Sequence, residues 1–162
     1  MTIQIDSREK PRAITRILDH FDKGGIAHFV SKLPAGDYMN LDNPRLVIDR
    51  KQNLQELVGN VCQQHKRFTD ELKRAQAYGI KLIVLGEHGG QIKSMADVIK
   101  WNNPRLKASP LAMSGERLCK VLCTLAGRYG VQFEFCDKRS TGRRIAELLG
   151  GEQYGGKTAE NG

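Results

Sequence analysis

Leu82-Ile83-Val84-Leu85 is a short, unbroken apolar run, the pattern of a strand covered on both faces. The preceding sequence supplies a cover. Asn53 can cap a helix continuing to about Tyr78, because Leu54, Leu57, Val58, Val61, Cys62, Phe68, Leu72 and Ala75 fall mostly on one stripe, and Gly79 closes it. The run is therefore expected to be a central strand reached by a helical crossover, in an α/β chain.

The flanking segments follow the same logic. Thr2-Ile3-Gln4-Ile5-Asp6 alternates as a half-buried strand and stops at Ser7-Arg8-Glu9-Lys10-Pro11. Helical spacing of Ile14, Ile17, Leu18 and Phe21 runs from Pro11 to about Lys23 and ends at Gly24-Gly25. Strands are expected at 26–33, 37–41 and 46–50, the last two antiparallel across an Asp42-Asn43-Pro44 turn. A short helix around Met95 to Trp101 precedes a polar stretch, 102–113, that reads as a surface loop or lid. Ser114 can cap a helix to Tyr129, Val131 to Cys136 is the last strand, and Thr141 opens a final helix.

At 162 residues, with 40% apolar and 27% charged side chains, the chain is expected to fold as one globular unit. No apolar run approaches a membrane span and the N-terminus carries charge, so a soluble, cytoplasmic protein is expected. A net charge of +8 suits a polyanionic partner such as nucleic acid. Cys62, Cys119, Cys123 and Cys136 form no Cys-x-x-Cys pair and read as buried free thiols. Residues 150–162 lack apolar periodicity and are expected to be a disordered tail. Within them Gly151 to Thr158 spells the phosphate-loop pattern, yet a helix precedes it and only Ala159-Glu160-Asn161-Gly162 follow. Nucleotide binding is not expected, and Trp101 and Tyr129 read as packing residues, not as base-stacking ones.

The hairpin brings Asp37, at the head of one strand, and Asp49, near the end of the next, to the same neighbourhood. Lys51 shares a strand face with Asp49. Two carboxylates at one place repel unless a cation lies between them, and Mg²⁺ takes oxygen ligands from one or two carboxylates while keeping several waters. Such an ion would lower the pKa of a bound water and neutralise charge building on a phosphodiester, with Lys51 steadying the water or the phosphate. The chemistry indicated is phosphodiester hydrolysis.

The pattern Asp…Asp-x-Lys recurs by chance, and specificity comes from its surroundings. Asp6-Ser7-Arg8-Glu9, Gly36-Asp37-Tyr38 and Val47-Ile48-Asp49-Arg50-Lys51, in that order and closely spaced, resemble the nuclease domain of the XPF-type structure-specific endonucleases, within the PD-(D/E)xK superfamily. The family pattern is GD, a variable gap, then ERKxxxD. Here Asp49 replaces the glutamate, and Gln55, followed by Glu56, stands where the last aspartate belongs. The likeness continues through Arg67 to Leu72, the strand from Lys81 to Leu85 and Lys138 to Thr141.

The resemblance implies a mixed central sheet flanked by helices, of the restriction-endonuclease-like type, over residues 1–149, with an insertion at about 91–113. It implies Mg²⁺ or Mn²⁺ held by Asp37, Asp49 and the carbonyl of Arg50, with Lys51 as catalytic lysine and Asp6 and Glu9 lining the site. Arg8 could meet a phosphate. Arg50 is a further DNA-contact candidate, or a structural ion pair if it points away from Lys51. Arg67 could reach DNA or pair with Glu71 one turn on. Arg105, Lys107, Lys138, Arg139, Arg143 and Arg144 are candidates for phosphate contacts. The expected activity is a metal-dependent DNA endonuclease on branched, flapped or forked DNA, and the alternative is a DNA-binding or scaffold subunit that has lost cleavage. Family members commonly dimerise and carry a separate DNA-binding module. Placement on DNA is therefore expected from the domain itself, a homodimer or a DNA-targeting partner.

Overall fold

The computed structural model describes residues 1–151. The expected tail beyond Gly151, and with it nearly all of the phosphate-loop look-alike, lies outside the described residues. Six strands, β1 (Thr2–Ile5), β2 (Ala27–Val30), β3 (Tyr38–Asn40), β4 (Asn43–Lys51), β5 (Lys81–Glu87) and β6 (Gln132–Cys136), make one sheet in the order β2-β1-β3-β4-β5-β6. The sheet is mixed. β1 runs parallel to β2 and antiparallel to β3, β3 and β4 form the antiparallel hairpin, and β4, β5 and β6 are mutually parallel.

Five helices cover it: α1 (Thr15–Lys23), α2 (Leu54–Val61), α3 (His65–Ala77), α4 (Gly115–Tyr129) and α5 (Thr141–Gly150). Strand alternation sorts the core into two layers. Val47, Leu82, Val84, Phe133 and Phe135 pack with the apolar stripes of α2, α3 and α4. Ile3, Ile5, Tyr38, Ile48, Ile83 and Leu85 pack with those of α1 and α5. Both faces of β5 are thus buried, as its apolar run requires. No helix among the described residues is long and apolar enough to cross a membrane.

The structure departs from the sequence reading in particular places. The helix expected from Asn53 to Tyr78 is two helices, because the stripe lapses between Val61 and Phe68. Cys62 to Arg67 are all exposed, so no apolar side chain there holds a continuous axis to the sheet. The segment around Met95 to Trp101 is a short 3-10 helix, Ala96–Lys100. The stretch 102–113 is not a free loop: Asn103, 1% exposed, donates to the Met113 carbonyl at 2.8 Å and accepts from Arg105 N–H at 3.0 Å, pinching its two ends together. The cysteines are not buried as expected. Cys62 and Cys123 are exposed and Cys119 and Cys136 half-buried.

The approach to β3 depends on Gly36, whose φ of 65° is in the left-handed region. A Cβ there would lie 2.4 Å from Val47 Cγ1 and 3.0 Å from the Ile48 carbonyl oxygen. Only glycine lets the chain lie against β4 so that Asp37 N–H reaches Ile48 O at 2.7 Å. Gly36→Ala should lower the unfolding free energy by about 2–4 kcal/mol, from backbone strain plus overpacking. Urea denaturation reads this directly, and an unchanged midpoint would mean that the hairpin is not fixed at Gly36.

Candidate active site

Three consecutive residues at the end of β4 are charged and buried, and alternation sends them to opposite faces. Asp49 and Lys51 lie on the α3 side, where the Lys51 ammonium is 5.9 Å from the centre of the Phe68 ring. Lys51 Nζ is 2.8 Å from Asp49 Oδ2 as an ion pair, while its well-aligned hydrogen bond goes to Oδ1 at 3.1 Å. Asp49 Oδ2 is thus buried without accepting a hydrogen bond. Burial would lower the Lys51 pKa, but Asp49, Asp37 and Glu56 outweigh it and hold the ammonium above its usual value.

Asp37 enters the same place from the other side of the hairpin. Its Oδ2 accepts Arg50 N–H at 2.7 Å. Burial first, then the charge of Asp49, push the Asp37 carboxyl up to about 8, against the lowering effect of that hydrogen bond. With Arg8, Glu9, Gly36, Glu56 and Arg67, the three side chains Asp37, Asp49 and Lys51 line one cavity of about 230 Å³.

Arg50 points to the opposite face and is only 2% exposed. Its guanidinium grips Glu9 with two bonds, Nη2 to Oε2 at 2.7 Å and Nε to Oε1 at 3.2 Å, and reaches Glu87 Oε1 with Nη1 at 3.0 Å. Thr141 Oγ1 donates to the same Glu87 oxygen at 3.0 Å. The expectation that Arg50 contacts DNA is corrected: a buried guanidinium with two carboxylate partners presents nothing to a phosphate. Glu9 lines the cavity as expected, but its carboxylate is committed to Arg50.

Asp6 does not line the cavity. Fully buried, it ties the loop after β1 by accepting Arg8 N–H at 2.8 Å, Arg8 Nε at 2.6 Å and Leu33 N–H at 2.6 Å. Burial opposes the charged form of Asp6, yet these bonds hold its carboxyl below the usual range. Its structural role explains why an acid ends β1.

A family model, the ERCC4 domain, matches residues 5–147. The chain belongs to the ERCC4 domain family. Among solved structures it is similar to XPF from Aeropyrum pernix, with a TM-score of 0.64 and 16% identity over 92% of this chain and 63% of that one. A second structure, of XPF from Aeropyrum pernix in complex with DNA, gives a TM-score of 0.63 and 17% identity over 91% of this chain and 62% of that one. The chain therefore spans less than two thirds of those chains, and at these identities the likeness is one of fold. No curated protein sequence matches it.

In this ERCC4 domain the remaining candidates scatter. Arg8 and Arg67 reach the cavity, but no Arg67–Glu71 ion pair forms among the described residues, and Glu71 Oε1 accepts instead from Gly36 N–H at 3.4 Å. Arg105 and Lys107 are exposed on the 3-10 turn Pro104–Lys107, outside the cavity. Lys138 lines a separate cleft with Arg12 and Arg16. Arg139 is paired with Asp137 at 3.3 Å, Arg143 with Glu147 at 3.8 Å, and Arg144 with Glu134 at 2.7 Å. Gln55, at the motif's last acidic position, does not enter the cavity, and its amide donates to Asn103 Oδ1. The neighbouring Glu56 does line it, with Oε2 accepting Gln52 N–H at 2.7 Å. The sequence reading missed Glu87. The signal was its place two residues beyond Leu85 on the Arg50 face.

Arg50→Met should cost about 3–5 kcal/mol in urea unfolding, because two buried carboxylates lose their partner. For Asp37 the sign follows from its raised pKa. Metal-free protein keeps that proton while the unfolded chain has lost it, so the stability it contributes is full at acid pH and is lost as pH rises toward about 8. Asp37→Asn should therefore gain in melting temperature relative to wild type, by several degrees, between pH of about 5 and about 8 in chelator. Parallel curves would show that Asp37 is not so perturbed.

Proposed function

We propose that this ERCC4 domain is a metal-dependent DNA endonuclease that acts on branched, flapped or forked DNA. One observation carries the reading: half-buried Asp37 and buried Asp49 lie together beside Lys51 in an open, polar cavity. Two close carboxylates that hold a proton up to about 8 form a site waiting for a cation. No group of three or more His, Cys, Asp or Glu that could hold a metal occurs among the described residues. Two carboxylates and a backbone carbonyl suit a hard ion that retains waters, and Asp49 Oδ2, which accepts no hydrogen bond and faces the Lys51 ammonium at 2.8 Å, is an oxygen that a cation would take over from that ammonium.

Asp37, Asp49 and the Arg50 carbonyl would hold Mg²⁺ or Mn²⁺, which when bound supplies Lewis-acid polarisation of the phosphodiester and a water of lowered pKa. The protein's own groups do the rest. Lys51 has a flexible stem and a firmly protonated ammonium, so it can exchange Asp49 for a non-bridging phosphate oxygen and stabilise charge as it develops there. Arg8 and Arg67 sit on the rim, where a duplex backbone would lie. Arg50 acts at a distance. By fixing Glu9 and Glu87 on the far face it holds the end of β4, and so the spacing of Asp37, Asp49 and Lys51.

A second reading, a DNA-binding subunit without cleavage, is favoured by Gln55, which brings no acid to the cavity. Asp49→Asn decides between them. It should reduce Mg²⁺-dependent nicking of a forked substrate by roughly a hundredfold or more, and in chelator it should lower the melting temperature by several degrees, because the buried Lys51 ammonium loses its ion-pair partner. Wild-type protein that binds DNA but shows neither nicking nor Mn²⁺ binding by calorimetry would support the second reading instead.

A further inference from the structure

Three surface depressions on the α3 side join end to end. The candidate active site shares Arg67 with a groove along α3, and that groove shares Arg74 with a third hollow of about 480 Å³. Arg67, Glu71, Arg74 and Tyr78 recur at helical spacing, so they form one stripe on α3 and its C-cap. The acids along it are occupied: Asp70 is paired with Lys66 at 2.6 Å, and Glu71 accepts from Gly36 N–H. Neither Arg67 nor Arg74 forms an ion pair within 4 Å among the described residues, and although Asp70 faces Arg74 across the groove its carboxylate is held by Lys66, so both guanidiniums can take a phosphate.

The far end changes character. The third hollow is lined by Pro34, Ala35, Ala75, Ile80 and Tyr78, with Arg74 at its rim. Tyr78 is 75% exposed, an aromatic side chain largely open to solvent that shares this hollow with Arg74. From Arg67 to Tyr78 the helix climbs about 16 Å, a span of roughly three to five nucleotides. A cationic track that leads away from a phosphodiester site and ends on an exposed ring in an apolar hollow matches what a single strand needs: phosphates follow the guanidiniums and a base stacks at the end.

We infer that Arg74 and Tyr78 form a subsite for an unpaired nucleotide on the strand leaving the candidate active site. The inference rests on the hydrolytic reading for its starting point, and it adds what makes a branched substrate preferable to a plain duplex. Charge complementarity selects the occupant: a second copy of this chain, itself carrying a net charge of +8, would gain little from a small apolar hollow bordered by Arg74 at the end of a track that also holds Arg67.

The test is binding without cleavage, by fluorescence anisotropy of the full chain in chelator. The probes are a fork with a base-bearing single-stranded arm, the same fork with an abasic arm, and a blunt duplex. Wild type should prefer the base-bearing arm to the abasic one by roughly five- to a hundredfold. Tyr78→Ala should erase that preference and leave blunt-duplex affinity and melting temperature unchanged, while Tyr78→Phe keeps it. Arg74→Gln should weaken both forks and lower the slope of log affinity against log salt by roughly 0.7. Equal affinity for the two arms in wild type, an undiminished preference in Tyr78→Ala, or a change of oligomeric state in that variant would overturn the subsite. The two readings fail separately: cleavage of the fork with no base preference removes the subsite alone, and a base preference without cleavage removes only the hydrolytic reading.

Discussion

Asp49, Arg50 and Lys51 are consecutive and all buried, and a strand can bury three charges in a row only if each finds a partner on its own face. The α1 and α5 side supplies Glu9 and Glu87 for Arg50, and the other side pairs Lys51 with Asp49. Glu9 comes from the loop after β1, Glu87 from the end of β5, and Thr141, which supports Glu87, from the start of α5. Three distant pieces of chain are drawn to one point by a single guanidinium. The cavity on the opposite face inherits its dimensions from that convergence.

The two faces do different work with the same kinds of group. Around Arg50 the charges are matched and bonded, so the cluster is fixed. Around Asp37 and Asp49 two carboxylates share one lysine, and burial first, then the charge of Asp49, push Asp37 up to about 8. Unmatched buried charge costs stability, and such costs collect where chemistry or binding recovers them. That asymmetry points to one face of β4, and not the other, as the working side.

Much of this was legible in the sequence. Leu82 to Leu85 announced a strand buried on both faces, the turn residues near Asp42 announced the β3–β4 hairpin although the turn is Leu41–Asp42 and Asn43 and Pro44 already belong to β4, and the alternation of residues 49–51 placed Asp49 with Lys51 and set Arg50 apart. What stayed hidden depended on partners far along the chain. No local pattern shows that Asp6 would be consumed by Arg8 and the Leu33 N–H, and Glu87 could be matched to Arg50 only once β5 was known to lie beside β4. The division between α2 and α3 was missed for a related reason. The helical stripe is in phase on both sides of the break, and only the six exposed residues from Cys62 to Arg67 mark the place where nothing holds a continuous helix to the sheet.

Gln55 is bonded to Asn103, and Asn103 cannot turn round to suit a different neighbour, because its own amide already serves the Met113 carbonyl. An aspartate at position 55 would set carboxylate oxygen against amide oxygen and cost the stretch 102–113 its tie to α2, leaving it held by the bonds of Asn103 to Met113 and Arg105. An acid at 55 and the present anchorage of that stretch therefore oppose each other in this chain.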